Sequence, residues 1–370
     1  MITPLASIIG SGFLVLGPIL NASYGKYAPA VMAGLCLVAY LFGTAIRYNI
    51  ATIDRNDGKR SKLAQSVETL ASGVLGFAYI ISVAYYLNLF GAFGVSLTSV
   101  ADPTHARLLT SAMFLIILFV GWTHGFRSLE KMEYVSVSLK LAIIAGLIVG
   151  LGVYFFGKVQ TSELVFNEPE RTGWAAMTLA FGLIVTVQGF ETSRYLSDEY
   201  DASVRIKSMR LAQWISTAIY MIYVLLIAYV FQRGELKMSE TAIVDMMGIV
   251  APILPALLVA AALAAQFSAA VADTSGSDGL ITEVTKGWIS NRMAYAILTA
   301  AGLALTWSAN IFQIISYASQ AFALYYALQA GVAAVTSAKQ RQPARSAGFA
   351  TLAALGVMIA IFGRSIEGGS

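Results

Sequence analysis

Charge is scarce in this chain. Of its 370 residues, 12% are Asp, Glu, Lys or Arg and 58% are hydrophobic, where a soluble domain carries about 25% charged residues. Such a composition excludes an ordinary soluble protein and leaves an integral membrane protein whose apolar stretches run from end to end. There is one cysteine, Cys36, in the apolar run Gly34-Leu35-Cys36-Leu37. It reads as a small packing residue and excludes a disulfide framework or a cysteine metal site. The two histidines, His105 and His124, fall at segment edges and form no cluster, which argues against a histidine metal centre. A Walker-type phosphate loop is missing, so the chain itself is not expected to hydrolyse ATP. His-Glu-x-x-His and any nucleophile–base constellation are missing too, which disfavours an enzyme. The first apolar segment lacks a basic leader and a small-residue cleavage site, so no signal peptide is expected. The closing Gly368-Gly369-Ser370 reads as a linker scar. Alternating apolar and polar residues are absent, which leaves an all-α architecture rather than a β-barrel.

What the chain does have is long apolar sequence. Roughly 20 mainly apolar residues cross the hydrocarbon core as a helix. Charge-free windows occur at 3–25, 27–46, 69–101, 108–126, 141–157, 172–190, 211–232, 246–272, 293–338 and 346–363. The window at 293–338 is too long for one crossing and divides around Ser308-Ala309-Asn310, so about eleven transmembrane helices are expected. The fifth starts before its window, near Tyr134, and carries Lys140 into the membrane. With the N-terminus inside, 16 Lys and Arg fall on cytoplasmic loops and 7 outside, Lys140 being the remaining one of 24. That bias places the N-terminus in the cytoplasm. The expected location is a bacterial inner (plasma) membrane, with lipid as surroundings and no nucleic-acid partner. The oligomeric state is not fixed by the sequence.

Two of the apolar segments are interrupted by glycine: Gly10-Ser11-Gly12-Phe13 in the first, and Thr186-Val187-Gln188-Gly189-Phe190-Glu191 in the sixth. Glycine weakens a helix by about 1 kcal/mol relative to alanine. In lipid a broken helix persists only where its freed backbone groups meet protein, water or a ligand. Glycine is also common in membrane helices because it permits close packing, and the chain has 32 of them. Two breaks at matching positions, each beside a polar residue (Ser11, Gln188), favour the binding-site reading. Five spans is an odd number, so two five-helix units enter the membrane from opposite sides as an inverted repeat. The expected units are 1–157 and 158–338, with an extra transmembrane helix in 339–367.

The Gly10-Ser11-Gly12-Phe13 run resembles the Gly-Ser-Gly motif in the first helix of the amino acid–polyamine–organocation (APC) superfamily. Gly189-Phe190-Glu191, followed by Asp198-Glu199 and a basic loop, is similar to that family's sixth helix, and Ser275-Gly276-Ser277 to Gly287 matches its eighth more loosely. The resemblance implies the leucine-transporter fold, with discontinuous helices 1 and 6, and alternating-access transport driven by protons, sodium or exchange. It implies that backbone donors of Gly10, Ser11 and Gly12 take a substrate carboxylate, while carbonyls at Thr186, Val187 and Gln188 face an amine. Phe190, Tyr86, Asn88 and Tyr317 are further candidates for the wall. The sequence departs from the family where aromatics usually precede the glycine, carrying Val185 and Val187 there, and Gln188 is unusually polar.

Coupling residues follow. A lysine at the bilayer centre costs about 3 kcal/mol on insertion scales, so Lys140 should face the bundle. Snorkelling to the interface is the competing role, although Lys131 and Glu133 mark a boundary about 10 Å away. Relatives that couple to protons or exchange substrates carry such a lysine in the place of a sodium ion. Asp273 is its expected counter-ion. The hydroxyls of Thr274 and Ser275 offer the alternative, a sodium site. Glu191 is either a proton carrier or a structural carboxylate. The expected function is a secondary active transporter of an amino acid or related amine, with a proton or sodium as coupling ion and no other cofactor. The alternative is a sodium-coupled symporter of another small organic solute, ahead of a channel or membrane enzyme.

Overall fold

A computed structural model describes residues 2–10, 12–55, 62–124, 127–194, 200–233 and 239–365. Ser11, Asp198, Glu199 and Gly368-Gly369-Ser370 lie outside the described residues. Every regular element among the described residues is helical. The first crossing is made of two pieces, α1 (Ile2–Ile8) and α2 (Gly12–Tyr24). Four helices follow: α3 (Ala28–Arg55), α4 (Lys62–Val95), α5 (Pro103–His124) and α6 (Arg127–Gln160). The sixth crossing is again interrupted. Its α7 (Gly173–Gly182) gives way to tight 3-10 turns at Ile184–Val187 and Phe190–Arg194. Then come α8 (Ala202–Ala228), a short α9 (Ala242–Val250), α10 (Leu254–Val284), α11 (Asn291–Ser308), α12 (Ile311–Lys339) and α13 (Pro343–Phe362). Counted as crossings these make eleven, with the first and sixth discontinuous.

Only eight described stretches are individually long and apolar enough to span a membrane. The eleven reduce to eight because α2 runs on into α3 as one stretch, Leu14–Arg55, while the brief α7 and the 18-residue α11 do not qualify. The division at Ser308-Ala309-Asn310 has a local cause. Asn310 caps α12 by accepting the Gln313 N–H at 2.9 Å, and Gln313 returns its side-chain oxygen to the Asn310 N–H at 3.0 Å, a reciprocal box that starts a helix.

Several helices run past their charge-free windows, and the fifth starts at Arg127 rather than near Tyr134; three further cases are informative. The eighth crossing is not 246–272: α9 stops at Val250, Ala251 is extended, and α10 starts afresh with Pro255 in its first turn, where proline's missing N–H costs nothing. Its helix runs to Val284, which carries Asp273 and Asp278 inside it. The third helix begins at Lys62 rather than 69, so Glu68 lies within it. Arg47, the first charge past the 27–46 window and so counted among the cytoplasmic-loop residues, lies inside α3. It is buried there by a hydrogen bond to Gln213 and by Tyr40, whose ring lies 4.7 Å from the guanidinium carbon. Absence of charge marks what lipid tolerates, but a helix continues past that limit when its charges find protein.

At the centre stands α4, packed against α5, α10, α11 and α12, with Tyr79, Tyr85, Leu87, Leu89 and Phe93 buried. Lipid does not drive helices together, so contact depends on close fit. Accordingly a Cβ on Gly91 would strike the Ala106 carbonyl and Thr110 of α5, and one on Gly302 would strike Phe114. By contrast α6 is peripheral: Val149, Val153 and Phe156 are exposed, while Lys140, Ile144, Leu147 and Leu151 are buried. Their spacing of four, three and four puts those buried residues on one helical face.

Candidate substrate site

The two interruptions meet. Gly189 has φ +114°, a conformation open to glycine alone at little cost, and a Cβ there would lie 2.6 Å from the Ser7 carbonyl carbon and 2.7 Å from the Ile8 nitrogen. On the other side of the first break, a Cβ on Gly12 would lie 3.3 Å from Thr186 Cα. Two backbones can approach this closely only because both present glycine. The Tyr220 hydroxyl of α8 spans them, reaching the Ile8 carbonyl at 2.5 Å and the Thr186 carbonyl at 3.3 Å. These are two of the acceptors that the helix ends leave free. From α12, the Ser319 hydroxyl donates to the Gly182 carbonyl at 2.7 Å and accepts the Val185 N–H at 3.1 Å. The sixth break is thus tied to its neighbours by side chains rather than by its own helix.

The wall facing these breaks is α4. The Tyr86 hydroxyl accepts Gln188 Nε2 at 3.0 Å, and its ring edge would stand 3.5 Å from a Cβ on Gly10. Tyr85 lies a ring-to-ring 5.0 Å from Tyr86, with its hydroxyl 2.8 Å from where a Gly12 Cβ would be. Gly10, Gly12, Thr186, Val187, Gln188, Gly189, Phe190 and Tyr86 are therefore brought together and buried. Phe190 stacks on Tyr326 at 5.1 Å, and Tyr326 on Phe42 at 5.2 Å, so its ring is a packing surface beneath the break.

Two of the expected wall residues stand apart. Asn88 donates to the Ala84 carbonyl and to Thr306 of α11, both at 2.8 Å, which commits it to a helix–helix contact. Tyr317 is 42% exposed and is not brought to the break.

Glu191 is fully buried just after the break. One carboxylate oxygen accepts the Gly189 N–H at 3.0 Å and the Tyr326 hydroxyl at 2.9 Å. One helical turn on, Arg194 pairs with Glu68 of α4. Gln329 of α12 donates to both Glu68 oxygens, at 3.4 and 3.3 Å, and accepts Asn49 of α3 at 2.9 Å. The short turn Phe190–Arg194 is therefore fastened at two points three residues apart, directly to α12 through Tyr326 and to α4 through Glu68, which Gln329 of α12 also holds. Neither Tyr326 nor Gln329 was legible as part of this site. Their spacing on one helical face was the available signal.

Lys140 is fully buried, thirteen residues into α6 and so about 20 Å along it. Its Nζ lies 3.5 Å from Ser268 Oγ of α10, which excludes the snorkelling role. One turn and a half further along α10, Asp273 accepts the Ser82 hydroxyl of α4. The Thr274 hydroxyl donates to the Ala270 carbonyl at 2.6 Å, and Ser275 is partly exposed. Ser82 and Tyr86 are four apart on α4, so one face of that helix touches both the Asp273 region and the substrate breaks. No group of three or more metal-ligating His, Cys, Asp or Glu occurs among the described residues.

Two broken crossings apposed at the centre of a helical bundle define a secondary transporter of the broken-helix class. Residues 1–363 match the family model described as APC superfamily transporter, and the chain belongs to that superfamily, whose members are transporters rather than enzymes. An uncharacterized protein of Aquifex aeolicus (strain VF5) is 41% identical over 378 residues, covering 99% of this chain and 90% of that one. The fold is similar to that of Mhp1, a nucleobase-cation-symport-1 family transporter solved in a closed conformation with bromovinylhydantoin bound. The TM-score is 0.59 at 11% identity, over 98% of this chain and 91% of Mhp1.

Proposed function

We propose that this transporter moves an amino acid or related amine by alternating access, coupled to protons or exchanging through Lys140. The carrying observation is the apposition of the two breaks. It brings the N-terminal end of α2, at Gly12, against Thr186 in the sixth break, whose carbonyl also accepts the Tyr220 hydroxyl. Unpaired N–H groups at a helix N-terminus suit a carboxylate, and freed carbonyls suit an ammonium. Ser11 adjoins that end by sequence. Lys140, held in the bundle beside Ser268, supplies a fixed cation where a coupling ion would otherwise be required; Asp273 is its proposed counter-charge and Glu191 a second proton-bearing group. The two inverted units are assigned to 1–157 and 158–338, and the N-terminus to the cytoplasm.

Proteoliposome uptake tests this. Saturable uptake of an amino acid that responds to a pH gradient and is lost in Lys140→Ala supports the reading. Sodium-dependent uptake with Lys140 dispensable overturns it. A second reading has a specific basis: the fold likeness to a cation symporter that holds a hydantoin, with Thr274 and Ser275 as sodium ligands. In that case sodium alone raises the thermal stability of the native protein, by mass action, and Thr274→Ala removes the effect.

A further inference from the structure

Three buried polar atoms at the breaks find no hydrogen-bond partner: Gln188 Oε1, Tyr85 Oη and Glu191 Oε1. Buried polar groups are nearly always paired, so each unpaired one calls for an explanation. These three are contiguous. Gln188 bonds Tyr86, whose ring adjoins Tyr85, and Glu191 holds the N–H of Gly189. Gln188 is the informative member because its amide uses one end, on Tyr86, and leaves the other unpaired. It is 2% exposed, its nitrogen is anchored on Tyr86, and its oxygen has no partner, one residue before Gly189, whose backbone meets Ser7. A phenol hydroxyl both donates and accepts, so Tyr86 can hold either end of the amide. Whichever end it holds, the other is open.

Resting on the reading that the two breaks enclose the solute, we propose that Gln188 is a specificity-determining residue: its side-chain amide recognises a planar amide or ureido group on the transported molecule. A group with N–H and C=O in one plane pairs with either end of Gln188. A neutral partner also fits the electrostatics. The amide carries no charge to offset a buried ammonium, whose desolvation costs far more than that of a neutral N–H. The nearby Glu191 already spends one oxygen on Gly189 and Tyr326. Tyr85 stands ready on the Gly12 side to complete the shell of a polar solute.

Titration calorimetry on the purified full-length protein decides the matter with matched probes. Glutamine and methionine have similar length and differ in carboxamide against thioether, while hydantoin carries a ureido group with no ammonium or carboxylate. The native protein should bind glutamine at least about tenfold tighter than methionine, the scale of one satisfied buried hydrogen bond. Gln188→Leu should bring that ratio close to one, and Gln188→Asn, which keeps the amide on a shorter stem, should retain part of it. Both variants are checked for an unchanged unfolding temperature, and the ratio of affinities, unlike a bare loss of binding, does not follow from misfolding. Hydantoin binding that is lost in Gln188→Leu, with both amino acids silent, supports the amide preference and sinks the amino acid reading. Equal binding of glutamine and methionine to the native protein leaves the site standing and overturns the role given to Gln188. A preference that survives Gln188→Leu overturns it as well, and silence from all three probes overturns it together with the site.

Discussion

Gly189 and Gly34 separate two uses of glycine at the scale of single residues. Gly189 needs its positive φ and has no room for a Cβ. Gly189→Ala should therefore cost about 1–3 kcal/mol in backbone strain and abolish uptake. Gly34 sits in α3 with nothing near its would-be Cβ, so Gly34→Ala should be neutral or stabilise by up to about 1 kcal/mol. Thermal unfolding in detergent measures both. The sequence showed the glycines at both positions but could not rank them, because the difference lies in the backbone of Ser7 and Ile8, remote in the chain. Lys140 was legible as an anomaly for the opposite reason. A charge in an apolar run is visible locally, whereas its neighbour Ser268 is not.

Elements are held here by a few buried polar fasteners. Removing Arg194 breaks its buried pair with Glu68, a change that typically costs about 3–5 kcal/mol. Gln329 still donates to Glu68, so Arg194→Ala should fall toward the lower end, about 3 kcal/mol. The double variant Arg194→Ala with Glu68→Ala should lose less than the single one, and thermal unfolding of the pair checks this. Tyr220→Phe removes the hydroxyl that reaches both broken helices, with an expected loss of about 1 kcal/mol and a larger proportional loss of uptake. The helix boundaries that sequence misplaced, at Glu68, Arg47 and the start of α10, have two causes. Glu68 and Arg47 are charges that lipid would exclude and that a packed helix accommodates, whereas Pro255 starts a new helix where its missing N–H is harmless.

Across the whole molecule, orientation and pH response are the open tests. Cys36 is buried, so a Cys36→Ala background accepts one new reporter. A cysteine replacing Gln340, after α12, should react with an impermeant maleimide only when the cytoplasmic face is accessible. Labelling from outside in intact cells would reverse the assigned topology. Near the opposite end of α4, Asp102 accepts the N–H groups of His105 and Thr104 and pairs with the His105 imidazole at 2.5 Å. The His105 N–H, and then its side chain, hold the Asp102 carboxyl below its ordinary value. A carboxylate lowered in the folded state contributes stability above its unfolded value and loses it as pH falls through the folded one. Native protein should therefore lose part of its stability on acidification below the ordinary carboxylate range, and Asp102→Asn should lose less over that interval. Melting temperature against pH distinguishes them.

Sequence by itself determined the class of this protein. Hydropathy fixes the number of apolar crossings, and glycine beside polar residues marks where two of them break, because both signals arise from the interaction of a local segment with lipid. The matched order of those breaks was enough for the five-plus-five architecture. Only the tertiary structure decided what the breaks face. It set Gly189 on Ser7, drew Tyr220 across both chain interruptions, fastened Glu191 and Arg194 to α12 and α4, and left the Gln188 oxygen without a partner. Most of these contacts join residues about 100 to 200 positions apart, and no local pattern encodes which side chain will arrive across that distance.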